Sequence, residues 1–221
     1  MSGDRPVSRF YRSLTTPIKK VVLLGDAGVG KSSLFARFCG EDFPGTTSVP
    51  TTVQLRASDI REFQVGFSNV RISLWDTAGV ERMLSLTENY YRKAVGVLLV
   101  YDVMDRETFE NLEHTWVPSV TLRNNRVKAF LVGNKTDLTT DSVDTVSEEE
   151  VQMYCRTCPL DVVGTFRVSA KTCSGVEDMF TKLAESVLED NSFDKEGGIK
   201  LSETSAQDGQ TSRQETCTCK V

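Results

Sequence analysis

Nothing in this sequence is long and apolar enough to cross a bilayer as a helix, since the longest apolar run, Ala94 to Tyr101, is less than half of the ~18 residues required. Positive charge is also short. With 26 Lys and Arg against 31 Asp and Glu, the 221-residue chain has no overall basic field to hold nucleic acid or an anionic membrane surface. Any phosphate it binds is therefore held by local groups. Histidine occurs once, as His114, in a helical stretch where a surface or partly buried role is expected rather than a catalytic one. The six cysteines are scattered without a disulfide framework, as in a reducing compartment. Cys155-Arg-Thr-Cys158 has CxxC spacing but neither a second pair nor a histidine at ligand spacing, which argues against a zinc or redox centre. The first residues carry Arg5, Arg9 and Arg12 without an apolar core segment, and Ser2 rather than Gly follows Met1, so neither a signal peptide nor N-myristoylation is expected. A cytosolic chain follows from that.

What is present is an ordinary globular composition, 39% apolar and 26% charged, in a length that suits one domain. Residues 1–18 are polar, with Pro6 and Pro17, and residues 189–221 hold Phe193, Ile199, Leu201 and Val221 as their large apolar groups among Gly, Ser, Thr, Gln, Asp and Glu. Neither flank can offset the entropy of its own ordering, so both are expected to be flexible. Between them, residues 19–188 alternate short apolar runs with amphipathic segments, the pattern of a parallel sheet covered by helices, an α/β fold. Strands are predicted at Lys20 to Leu24, Val95 to Tyr101, Ala129 to Val132 and Thr165 to Val168. Phe63, Val65 and Phe67 alternate, as do Val70, Ile72 and Leu74, which predicts a hairpin turning at Ser68-Asn69. Helices are predicted at Lys31 to Phe38, Leu86 to Lys93, Glu107 to Arg123, Glu148 to Tyr154 and Val176 to Leu188. Gly40 reads as the stop of the first, and Ser147 with Glu150 as a capping box on the fourth.

The chemistry is concentrated in four stretches. Gly25-Asp26-Ala27-Gly28-Val29-Gly30-Lys31-Ser32 matches G-x4-G-K-[ST] between an apolar strand and a helix start, the context that motif requires. Glycines let backbone N–H groups turn inward around phosphate oxygens, the helix N-terminus adds partial positive charge, Lys31 can bridge β and γ phosphates, and the Ser32 hydroxyl can ligate Mg2+. Asn134-Lys135-Thr136-Asp137 follows a buried strand end, where open α/β sheets bind ligands. A carboxylate there can accept from guanine N1–H and the N2 amine together, whereas adenine would leave it unpaired, so discrimination of ~10^4 is expected. Ser169-Ala170-Lys171, after the last strand, offers a backbone N–H to guanine O6. Trp75-Asp76-Thr77-Ala78-Gly79 ends a strand in an acid followed by a glycine, which suits a carboxylate reaching Mg2+ through water and a Gly79 N–H directed at a γ phosphate.

In their order along the chain, Gly25–Ser32, Asp76–Gly79, Asn134–Asp137 and Ser169–Lys171, these motifs resemble the small GTPases of the Ras superfamily over residues 19–188, and Leu74-Trp75-Asp76, Tyr90-Tyr91-Arg92 and Val100-Tyr101-Asp102 resemble the Rab branch. The resemblance implies a six-stranded, mostly parallel sheet flanked by five helices, with GTP or GDP and Mg2+ as ligands. It implies Ser33 in the phosphate site, Phe43 edge-on to the base, Lys135 packed on the nucleotide ring, and Thr51 closing on Mg2+ and γ phosphate beside Ser32 and Asp76. It further implies a monomeric switch in vesicle traffic, working through effectors, an exchange factor and a GTPase-activating protein. A P-loop kinase or ATPase is disfavoured by Asp137 and by the lack of a separate substrate domain or lid.

Two features depart from the family. Where the family places a water-orienting glutamine after Asp-Thr-Ala-Gly, this chain has Val80, whose isopropyl group can neither donate nor accept a hydrogen bond, so slow hydrolysis or GTP retention without turnover is expected. Val49-Pro50-Thr51-Thr52-Val53-Gln54-Leu55 also differs from the Rab-typical Ile-Gly-Val-Asp-Phe, which keeps a Ras- or Rho-branch signalling GTPase open as the alternative. The chain ends in Cys217-Thr218-Cys219-Lys220-Val221, similar to Rab double-cysteine tails but not a C-a-a-X box, because position 218 is threonine. From Glu189 onward seven acidic residues face four basic ones, so no polybasic adsorption assists a single lipid, and stable anchoring would need both cysteines prenylated. With them come prenylation and membrane-extraction chaperones as partners, and a place on the cytoplasmic face of an intracellular or plasma membrane with a cytosolic pool.

Overall fold

The computed structural model describes residues 16–43, 58–77, 91–139 and 146–189. Six strands, β1 (Ile18–Leu24), β2 (Ser58–Val65), β3 (Ser68–Trp75), β4 (Ala94–Asp102), β5 (Lys128–Asn134) and β6 (Asp161–Arg167), form one sheet in the order β2-β3-β1-β4-β5-β6. The β2–β3 pair is antiparallel and every other pair is parallel. All nine residues of β4 are buried, which a central strand covered on both faces requires and which its unbroken apolar run foreshadows.

Four helices lie among the described residues. α1 is Lys31–Phe38, α3 is Glu148–Thr157 and α4 is Val176–Leu188. α2 is continuous but made of three pieces, α-helical Arg106–Asn111, a π turn at Leu112–Trp116, and α-helical Val117–Thr121. Leu34, Phe35 and Phe38 of α1 share one core with Met179, Phe180, Leu183 and Val187 of α4. Leu112, Trp116, Val117 and Val120 of α2 share a second core with Val151 of α3 on the opposite face of the sheet. The sheet is therefore doubly wound, and β1, between β3 and β4, is where the chain order reverses. Such a switch point places a ligand crevice at the carboxyl end of β1.

The local signals act where the sequence puts them. After α1, Gly40 takes φ 77°, its N–H donates to Arg37 O at 3.0 Å and that of Glu41 to Ala36 O at 2.9 Å, the paired bonds of a Schellman ending. Ser147 Oγ accepts from Glu150 N at 3.2 Å while Glu150 Oε2 accepts from Ser147 N at 3.0 Å, so the capping box is formed. Arg106 adds a charged hydrogen bond from α2, and with the Ser147 N–H it holds the exposed Glu150 carboxyl down to about 2.

Strand ends lie at most four residues from their predicted places, with the end of β1 at Leu24 as predicted, and the hairpin turn is a correction. Val65 pairs with Ser68 and Gln64 with Asn69, so the two-residue turn is Gly66-Phe67, not Ser68-Asn69. Gly66 takes φ 57°, the positive value that the first central position of a tight hairpin turn favours, and this outweighs the apolar alternation that would draw Phe67 inward. Phe67 is fully exposed. The last strand, predicted at Thr165 to Val168, begins earlier, at Asp161, and Val168 lies beyond its end. The helix expected at Leu86 to Lys93 lies outside the described residues up to Tyr91, which is helical and buried. No helix among the described residues is long and apolar enough to cross a membrane.

Candidate functional site

The turn from β1 into α1 is built around two close approaches. A Cβ on Gly25, at φ 144°, would lie 2.1 Å from the carbonyl oxygen of Val100, and one on Gly30, at φ 100°, would lie 2.2 Å from Nδ2 of Asn134. No other residue fits either place. Lys31, the first residue of α1, is 3% exposed, and its ammonium donates to the carbonyls of Gly25 at 2.8 Å and Asp26 at 2.7 Å. The loop thus encircles its own lysine, a cation held at a helix N-terminus, which is the arrangement that accepts a phosphate chain. Ser32 and Ser33 are half-buried in the first turn of α1, and Ala27 and Gly28 are exposed at the loop's crest.

The acid after β3 lies beside this loop. Parallel pairing sets Val22 against Trp75, so Asp76 comes level with the end of β1, and the buried Thr77 hydroxyl donates to Leu23 O at 2.7 Å to fix the strand end there. Ser32, in the first turn of α1, and Asp76, just past the end of β3, offer a hydroxyl and a carboxylate, an all-oxygen donor set that fits Mg2+ rather than a softer metal. Gly79 and Val80, like Thr51, lie outside the described residues.

Asn134, at the end of β5, joins the two halves of the site. It is 1% exposed, its Nδ2 donates to Val29 O in the phosphate loop at 2.8 Å, and its Oδ1 accepts from Ala170 N at 3.0 Å. Asp137 faces the same loop: its Oδ1 accepts from the Ser169 hydroxyl at 2.6 Å and its Oδ2 lies 3.5 Å from the Lys171 ammonium. Burial pushes the Asp137 carboxyl upward, but the Ser169 hydroxyl, its own backbone N–H and Lys171 outweigh this and hold it below the usual carboxylate range. It stays an anion and an acceptor. The N–H groups of Ser169, Ala170 and Thr172 are spent on Ser174 O, Asn134 Oδ1 and Ser169 Oγ, so of these residues Lys171 is the one whose N–H could be offered to a ligand. That narrows the sequence expectation for Ser169-Ala170-Lys171. Lys135 adopts φ 70° and pairs its ammonium with Asp102 Oδ2 at 2.6 Å. Phe43 is half-buried at the last described position after α1.

Two groups of residues carry no signal in the sequence. Arg37, in the last turn of α1, donates from Nε to Ala170 O at 2.8 Å and from a terminal nitrogen to Lys171 O at 2.9 Å, so the helix that begins at the phosphate loop ends by holding the Ser169–Lys171 loop. Asp26, counted by sequence among the phosphate-loop residues, sends its carboxylate to Trp116 and Asn111 on α2. Partners so far apart in the chain leave no local trace. Cys217 and Cys219 lie outside the described residues, and the Cys155 thiol is half-buried and pushed up by burial and by its neighbour Cys158, which suits a packed thiol more than a reactive one.

A lysine-centred phosphate loop, an acid one step past the neighbouring strand, and an ionised Asp137 tied to that loop through Asn134 together define a nucleotide-binding domain of the P-loop class. The family model described as Ras family matches residues 20–189. Among curated proteins, the chain is 37% identical over 201 residues to Ras-related protein SEC4 of Candida albicans, covering 90% of this chain and 89% of that protein. It is 33% identical to Ras-related protein Rab-13 of Bos taurus, covering 82% and 83%, and 38% identical to Ras-related protein RABC2a of Arabidopsis thaliana, covering 80% and 81%. The chain belongs to the Ras family of small GTPases and is Rab-like.

Proposed function

We propose that this protein is a guanine-nucleotide switch of the Rab type, binding GTP and GDP with Mg2+, acting in vesicle traffic and returning to the GDP state slowly. The observation that carries the reading is the Asn134 bridge, because one buried carboxamide sets a phosphate-holding loop and a charged, guanine-reading Asp137 in fixed relation. Residues 19–188 form the switch unit and residues 1–18 and 189–221 are flanking segments. Gly25 to Ser33 cradle the phosphates, Lys31 neutralises β and γ oxygens, and Asp137 with the Lys171 N–H reads the base. Lys135 and Phe43 pack against the ring. Ser32, Thr51 and Asp76 hold Mg2+ directly or through water, and when bound the ion spreads the phosphate charge. The Gly79 N–H meets the γ phosphate, so GTP and GDP differ in what the segments around Thr51 and Gly79 can touch, and effectors read that difference. An exchange factor and a GTPase-activating protein are the matching regulators.

Chelation tests this reading. Adding EDTA should accelerate release of a bound fluorescent GDP at least tenfold, and Ser32→Asn should abolish that sensitivity while favouring the GDP or empty form. Release that ignores EDTA in the unaltered protein would remove Ser32 and Asp76 from a metal site.

We further propose that Cys217 and Cys219 are both prenylated and hold the protein on the cytoplasmic face of an intracellular or plasma membrane, with prenylation and membrane-extraction chaperones maintaining a cytosolic pool. One lipid chain binds marginally and two bind stably, so replacing either cysteine by serine should release part of the protein and replacing both should release nearly all of it. A double variant that sediments with membranes as wild type does would contradict the anchor and shift attention to Arg5, Arg9 and Arg12.

A further inference from the structure

Asp26 sits in the phosphate loop, where a carboxylate is an adverse charge. Its backbone oxygen accepts from the Lys31 ammonium at 2.7 Å. Its carboxylate turns the other way: Oδ1 accepts from the Trp116 indole N–H at 2.8 Å and Oδ2 from the Asn111 amide at 2.7 Å. Both donors lie on α2, which packs on the face of the sheet opposite α1.

The shape of α2 explains how one helix supplies both. Asn111 and Trp116 are five residues apart, and at about 3.6 residues per turn the second would point well around the helix from the first. Between them lies the π turn, in which the Val117 N–H donates to Leu112 O, an i→i+5 bond. That wider closure brings the residue five positions on back over its starting point, so both donors meet one carboxylate. Trp116 is 4% exposed, and its ring is fixed among the apolar residues of the second core.

We infer that the π turn of α2 exists to clamp the Asp26 carboxylate away from the phosphate site, and that Trp116 and Asn111 are positioning residues for nucleotide retention. The inference rests on the nucleotide reading above. With both donors in place, the Asp26 carboxylate is stabilised by two hydrogen bonds on the α2 side of the loop, while the Lys31 ammonium donates to the carbonyls of Gly25 and Asp26. Without them the carboxylate is free to rotate toward Lys31, where it competes with a phosphate chain for the same ammonium and repels it directly.

The test follows release of N-methylanthraniloyl-GDP from the full chain. Trp116→Phe keeps most of the ring's bulk and removes its donor, and Asn111→Ala removes the other. The double variant should release the probe roughly tenfold faster than wild type at low ionic strength, with the difference shrinking as salt screens the freed charge. Adding Asp26→Ala to the double variant should bring release back toward the wild-type rate, because the charge that does the harm is gone. A packing role for Trp116 and Asn111 would not be rescued in this way, so a triple variant as fast as the double overturns the inference, as does a double variant as slow as wild type. Asn111→Ala alone, with and without Asp26→Ala, asks the same question on a half-buried residue outside the apolar core if Trp116→Phe folds poorly, and should show a few-fold acceleration that Asp26→Ala cancels. A wild type that never retains the probe would overturn the nucleotide reading and this inference with it, whereas a wild type that retains it beside variants that do so equally overturns the inference alone.

Discussion

Val80→Gln should raise the single-turnover rate of GTP hydrolysis at least several-fold, and by as much as ~10^2 to 10^3, with little change in GTP affinity. The two quantities separate because different groups govern them. In the proposed site phosphate binding rests on Lys31, Ser32, Thr51 and the Gly79 N–H, none of which the substitution touches. Turnover rests on orienting a water for in-line attack, and an isopropyl group offers that water neither donor nor acceptor. A carboxamide restores both. An arginine supplied by a partner could neutralise developing charge, but it would not orient the water unless the partner also supplied a glutamine. Wild-type protein that already hydrolyses GTP as fast as the Val80→Gln variant would show that Val80 does not limit turnover, and the reading of a GTP-persistent switch would be withdrawn.

Much of this protein is legible in its sequence alone, and the places where it is not share a physical cause. The first and last helices, α1 and α4, begin and end where the 3.6-residue apolar period and the Gly40 stop place them, because those signals are local and nothing in the tertiary structure opposes them. The hairpin turn falls two residues before its expected place because strict alternation carries Phe67 into the strand, whereas the backbone requirement for positive φ at Gly66 decides where the chain reverses. The π turn leaves no trace at all. One widened turn barely perturbs an amphipathic pattern, so the stretch Glu107 to Arg123 reads as an uninterrupted helix. Its purpose becomes visible through Trp116 and Asn111, which meet Asp26 from 90 and 85 positions away. Arg37 is hidden for the same reason, since its acceptors Ala170 and Lys171 lie 133 and 134 residues on. The motif residues, by contrast, are legible because their spacing encodes the ligand rather than the fold. Lys31, Asn134, Asp137 and the Ser169–Lys171 loop converge as the motifs imply, while Thr51, Gly79, Val80, Cys217 and Cys219 lie outside the described residues and their roles rest on chemistry alone.

Asp137→Asn should exchange guanine for xanthine, with a loss in guanine nucleotide affinity of up to ~10^4 and a comparable gain for the xanthine counterpart. In the proposed base site the carboxylate accepts from two guanine N–H groups, an amide cannot accept both, and an amide N–H pairs instead with the xanthine 2-oxo group. Because its surroundings hold the Asp137 carboxyl below its ordinary value of 3.8, the anion persists throughout the neutral and mildly acid range. Base selectivity in wild type should accordingly not change from pH 8 to pH 5, and is lost as pH falls through the lowered value. Unchanged guanine selectivity in the Asp137→Asn variant would take this residue out of the base site. Whether the protein is a guanine-nucleotide switch at all can be decided without a variant: purify it in Mg2+, denature it, and identify the nucleotide set free. A guanine nucleotide is expected at close to one per chain, with GTP a substantial fraction beside GDP. An adenine nucleotide, or no nucleotide from a folded protein that also fails to take up GTP, would refute the switch.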